Sequence, residues 1–264
     1  MPSKQGKSPS EYYKNDLTIN QSTNTGVDAT TRLVHDGAGQ STSISLSDDV
    51  LSVQPVNDNT TATMLVKNQS GSNILAVDTT NSLVKIGTSQ VNATTMYQRF
   101  SATNHTAVSD THYAMGLPLA DFSSIGLTED TALGTGTDPA TTLDISAATA
   151  ESTVWVNCYW YLPDAITLDS AIALSGAHAA NNRAHNFHIM AYTLDTSTNH
   201  GDLSAGAVVA DSSATSDIDE DVIKTTALTI QTANIAAGKV LIATYETDQG
   251  LISSSQMIVK YHLQ

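Results

Sequence analysis

Apolar and polar residues alternate along this chain with a period of two, in short runs. The runs over the first third are Asp16-Leu17-Thr18-Ile19, Thr31-Arg32-Leu33-Val34, Ser43-Ile44-Ser45-Leu46, Val50-Leu51-Ser52-Val53, Met64-Leu65-Val66, Ile74-Leu75-Ala76-Val77 and Leu83-Val84-Lys85-Ile86. Turn-forming stretches separate them, among them Asp36-Gly37-Ala38-Gly39, Asn57-Asp58-Asn59 and Ser70-Gly71-Ser72-Asn73. Alternation punctuated this way predicts strands of about four residues. Strands so short carry few large side chains, so a core drawn from residues 16–87 of one chain alone is thin. Three chains wrapped around a common axis would bury those apolar faces and pair the edges.

The second half carries longer signals. Val154–Leu162 presents Val154, Val156, Cys158, Trp160 and Leu162 on one face of a predicted strand, and Trp155, Asn157, Tyr159 and Tyr161 on the other. That assignment puts Trp160 in the core, and Trp155, Tyr159 and Tyr161 at a subunit interface, since their polar tips suit a partly wet surface. Further strands are predicted over 165–174, 187–194, 227–231, 240–245 and 257–263, and 232–237 as at most one helical turn. The fold class is therefore all-β. Residues 1–15 are an N-terminal docking arm, and 16–87 a short-stranded β base or shaft, trimeric in assembly. Residues 88–150 are a join rich in loops, and 151–264 a jelly-roll-like β-sandwich tip.

Composition narrows the function. Only 14% of residues are charged and 40% are hydrophobic, whereas a typical globular chain is about 25% charged. Net charge is −15, with seven basic and eight acidic residues in 1–100 against four and eighteen in 101–264. An acidic body repels nucleic acid, and the near-neutral first third is the part expected to meet a partner. In the arm, Pro9, Tyr12, Tyr13 and Lys14 are the candidate docking residues, because paired aromatic rings bury much area at low entropy cost. The first residues lack the apolar core of a signal peptide, and no stretch approaches a membrane span. Expected localisation is the outer surface of a virion, after synthesis in a host cytoplasm.

Candidate chemistry is sparse. Cys158 is the single cysteine, so no intrachain disulfide or cysteine metal site is available. His185 and His188 form the tightest histidine pair, yet a separation of three puts strand residues on opposite faces. They read as loop or surface residues at a subunit interface. The acidic run Asp217-Ile218-Asp219-Glu220-Asp221 reads as a solvated turn, with a calcium cradle the sharper alternative. The nucleophile elbow, phosphate loop and dinucleotide fingerprint are all missing. No catalytic, cofactor or metal residue is assigned, and no cofactor is expected.

Three blocks carry a resemblance. Ser8–Gln21, Arg32–Gly39 and Ile74–Gly87 resemble segments of structural proteins from marine tailed phages, including head and fibre proteins. The resemblance covers about the first third of the chain. It implies a homotrimer whose base docks on the particle, on the major capsid protein in a decoration, cement or head-fibre role. The alternative it leaves open is a tail fibre or receptor-binding tip that recognises a host surface glycan or protein. A shaft of seventy residues folded into short strands reaches only a few nanometres, at about 3.3 Å per extended residue. That length favours a knob on a capsid.

Overall fold

A computed structural model describes residues 16–21, 26–106, 108–117, 131–148, 152–177, 183–197, 201–218, 220–248 and 252–264. The chain divides into two compact units, Met1–Ala93 and Thr94–Gln264. Both are β, as the alternation predicts.

The first unit holds two four-stranded antiparallel sheets. One is β1 (Leu17–Ile19), β2 (Arg32–Asp36), β3 (Ser41–Leu46) and β4 (Leu51–Val53), paired in chain order. The other is β5 (Met64–Lys67), β6 (Asn73–Asp78), β7 (Leu83–Ile86) and β8 (Val91–Asn92), again in chain order. Each of the seven predicted runs is thus a strand, and β8 is added.

The β2–β3 and β5–β6 hairpins share one turn. Gly39 and Gly71 lie at φ 81° and 88°, a left-handed conformation that glycine adopts without cost. Each donates its N–H to the carbonyl three residues back, Asp36 or Asn68, at 3.0 Å. The side chains of Asp36 and Asn68 accept the N–H of Gln40 and Ser72, at 2.8 and 2.9 Å. Corresponding residues are thirty-two positions apart, so the turn is used twice.

The second unit is a curled twelve-stranded antiparallel sheet. Along one stretch run β11 (Ala132–Thr135), β10 (Thr111–Ala114), β19 (Lys239–Thr247), β14 (Arg183–Leu194) and β15 (Leu203–Asp211). It continues through β17 (Lys224–Ile230), β13 (Ile166–Ala177), β20 (Ile252–Leu263) and β9 (Thr95–Thr106). Short strands β12 (Trp160–Tyr161), β16 (Thr215–Ile218) and β18 (Asn234–Ile235) join β19, β14 and β13. The curl brings β9 back to the segment after β10, where Ser101 and Gly116 exchange hydrogen bonds of 2.8 and 2.9 Å. The result is sandwich-like. Phe100, Met257, Val259 and Ala173 come from one side of its buried core, and Phe187, Ile189, Ala243 and Tyr245 from the other.

Several expected boundaries move. The segment 88–150 is no join, because β9, β10 and β11 are integral strands of the second unit and the division falls at Ala93/Thr94. The segment 232–237 contains β18 instead of a helical turn. β15 and β16 lie where no strand was predicted.

The largest correction is at Val154–Leu162. Its first part is a single helical turn, α1 (Ser152–Trp155), closed by Val156 N–H to Ser152 O at 3.0 Å and Cys158 N–H to Trp155 O at 2.8 Å. Helical spacing sets Trp155 and Cys158 on one face, and both are buried at 1% and 0% exposure while Val156 is 63% exposed. Trp155 is therefore core, not interface, and Trp160 is only partly buried, against Phe100 and Tyr261 at 6.0 and 4.9 Å between ring centroids. Burial pushes the Cys158 thiol up to about 12, so it stays protonated and unreactive.

Two substitutions test this packing by thermal unfolding. Trp155→Ala should destabilise the second unit by about 3–5 kcal/mol, the cost of a large aromatic cavity, and Trp160→Ala by clearly less. Gly206→Ala places a methyl group inside van der Waals contact of the Tyr192 ring, and should cost about 1–3 kcal/mol by overpacking.

Candidate functional site

Strand register sorts the first unit into faces, and this defines its principal surface. Leu17, Ile19, Val34, Ile44, Leu46, Leu51 and Val53 share one face of the β1–β4 sheet, bordered by Arg32 and Asp36. Serines and threonines with His35 and Leu33 make up the other. On the β5–β8 sheet, Met64, Val66, Leu75, Val77, Val84, Ile86 and Val91 share one face. Its opposite face holds Asp78, which is buried and receives Lys85 Nζ at 2.8 Å and Asn81 Nδ2 at 2.9 Å. The Lys85 ammonium and the Asn81 donors pull the Asp78 carboxyl down to about 2.

Much of the two apolar faces is exposed. Leu17 is 68% exposed, Leu51 65% and Ile86 48%, and Met64, Val66, Val84 and Val91 all exceed 40%. A sheet normally packs one face on a core. Here much of each apolar face is exposed, with Val34 buried and Ile19, Leu46, Val53, Leu75 and Val77 half-buried among the described residues.

The second unit carries a buried polar cluster instead. Register sets His112, Glu246, Thr244, Asn186 and His188 on one face of the β10–β19–β14 sheet. His112 Nε2 lies 2.8 Å from the Gly136 carbonyl and 3.8 Å from Glu246 Oε2. The rings of His112 and His188 meet edge to face at 5.0 Å, and His188 Nε2 is 3.7 Å from Asp138. His185 falls on the opposite face, against Phe187 and Tyr245 at 6.3 and 6.4 Å, as a spacing of three requires. Both histidines are buried, which corrects their expected place on a loop or surface. Burial lowers His188, and brings His185 to about 4. Neither ring nitrogen of His185 has a hydrogen-bond partner.

Among the described residues, no group of three or more His, Cys, Asp or Glu is arranged to hold a metal. A cleft of about 300 Å³ is lined by Asp144, Asp195 and Asp202 with Thr142, Leu143, Leu203 and Ser204. Each carboxylate braces a loop. Asp144 accepts from Ser146, Asp195 from Ser197, and Asp202 from the Ile145 N–H, at 2.7, 2.7 and 2.9 Å. No described helix is long and apolar enough to cross a membrane.

Of the residues singled out by sequence, Pro9, Tyr12, Tyr13 and Lys14 lie outside the described residues, as does Asp219 of the acidic run. Tyr159 is half-buried and donates its hydroxyl to the Gly201 carbonyl at 2.8 Å, so it is engaged within its own unit. Tyr161 is 51% exposed. Sequence reasoning missed His112, whose pairing with His188 across two strand registers leaves no local spacing.

No protein-family model matches the chain, and no curated protein matches it. One similar solved structure is the CBM22-1–GH10 portion of endo-1,4-β-D-xylanase 10B from Clostridium thermocellum, complexed with xylohexaose. Identity is 12% and the TM-score 0.23, over 40% of this chain and 18% of that one. A likeness this slight bears on neither fold nor function.

The buried histidine makes a testable demand on pH. Because the folded His185 titrates near 4 and an unfolded one near 6.5, the unfolded chain binds the extra proton between those values. Stability must then fall as pH drops through that window, by roughly 3 kcal/mol at about 1.4 kcal/mol per unit. His185→Phe should flatten the slope of unfolding free energy between pH 6.5 and 4.

Proposed function

We propose that this chain is a non-enzymatic structural protein of a tailed-phage virion, a capsid decoration or head-fibre protein that assembles as a homotrimer. The observation that carries the proposal is the pair of four-stranded sheets with largely exposed apolar faces. Apolar burial is worth about 25 cal/mol per Å², and these side chains are largely exposed among the described residues. Further copies of the same sheets supply cover with matching register and no new chemistry. Short turns and few charges are consistent with a structural role, and the likeness of the first third to phage head and fibre proteins supports the virion setting.

In this proposal the arm, with Pro9, Tyr12, Tyr13 and Lys14, docks on the major capsid protein. Three arms held by one trimer bind by avidity even where each contact is weak. Binding to the assembled shell and not to free subunits stabilises the shell by mass action. The acidic second unit faces outward.

Two measurements check the assembly. The soluble full chain should have three times the 27.8 kDa chain mass, and Leu51→Asp combined with Ile86→Asp should reduce it to monomers with a folded second unit. A compact monomeric wild type would remove the basis for the trimer. Purified virions should show this chain at a level comparable to the major capsid protein, with deletion of 1–15 abolishing its incorporation. A band many-fold weaker would instead place it in a tail fibre or receptor-binding tip.

A further inference from the structure

The outward face of the β9–β20–β13 sheet combines apolar and cationic side chains in a unit that is otherwise acidic. Residues 94–264 contain five Arg or Lys and eighteen Asp or Glu, and two of the five cations stand on this face. Register aligns Arg99, Ile258 and Ile172 in one row, and Tyr97, Lys260 and Ser170 in the next. Tyr97 is 66% exposed, Ile172 44% and Ile258 37%. Arg99 donates to the Gln256 side chain, which fixes the guanidinium over the sheet. Asp169, bonded to His262 at 2.9 Å, borders the patch.

The same unit offers the complement. Just before β17, Ile223 is 76% exposed, the most exposed large hydrophobic residue among those described. Exposed Glu220 and Asp221 precede it. The loop is thus an apolar knob flanked by carboxylates, and the face is an apolar row flanked by cations. Within one chain, register sets the loop beside the Leu174–Gln256 end of the face and away from its Lys260 row. Lys224 pairs with Ser175 at one end of β13, whereas Lys260 pairs with Ser170 nearer the other.

We propose that the Glu220–Ile223 loop of one copy docks on the Tyr97–Arg99–Lys260 face of the next copy in the trimer. The contact presupposes the trimeric base proposed above, which holds the second units of three chains at high effective concentration. Charge selects the symmetry. A two-fold contact would set Arg99 and Lys260 against themselves, whereas a head-to-tail contact sets them against carboxylates, and head-to-tail contacts close into rings.

Cysteine bridging of the full chain tests the contact. Ile223→Cys with Ile258→Cys should give covalently linked trimers with a short bismaleimide, and Cys158 is buried and does not compete. Adding Arg99→Glu and Lys260→Glu should lower the linked fraction at least tenfold, and further adding Glu220→Lys and Asp221→Lys should restore it. A trimeric mass with no linking, linking by either single-cysteine variant, or indifference to charge reversal overturns the contact and leaves the base intact. A monomeric mass overturns the base, and the contact with it.

Discussion

An apolar sheet face has to be covered, and the two units of this chain differ in how far they meet that demand. In the second unit the sheet curls until its inner face packs on itself, and Ser101 and Gly116 stitch the ends of the curl. β19 is covered on both faces, with every residue from Val240 to Thr247 buried. Its outer face lies under a chain excursion that touches down where Tyr192 donates to the Ala140 carbonyl at 2.7 Å and His112 meets Gly136 at 2.8 Å. Among the described residues of the first unit no such excursion covers a sheet.

That difference explains where the polar groups sit. Covering both faces of β19 encloses whatever the outer face carries, so His112, His188, Thr244 and Glu246 are drawn out of water. Burial disfavours the charged form of the His188 ring and lowers its pKa. In the first unit most polar side chains are half-buried or exposed, and Asp78, the one buried charge among its described residues, is held by Lys85 and Asn81.

Legibility in the sequence followed the same division. Where a sheet carries apolar residues on one face and polar ones on the other, alternation reports the strands directly, and all seven short runs of 16–87 are strands. Where strands are covered on both faces, or where a helical turn interrupts them, period two fails. Trp155 and Cys158 are three apart, the spacing of one face of the helical turn that begins at α1, and the apolar Val154, Val156 and Trp160 completed a period-two pattern that masked it. The histidine cluster was hidden for another reason. Its members meet through register across β10, β19 and β14, and register between distant strands is not written in any local window.

The recurrence of the Asp36–Gln40 turn at Asn68–Ser72 makes the first unit modular. Duplicating or deleting a whole thirty-two-residue unit would reproduce the turn and keep the parity that puts apolar residues on one face. The number of hairpins is then a counting variable that gene duplication can set. An insertion of odd length within a strand would instead send the apolar row beyond it to the other face.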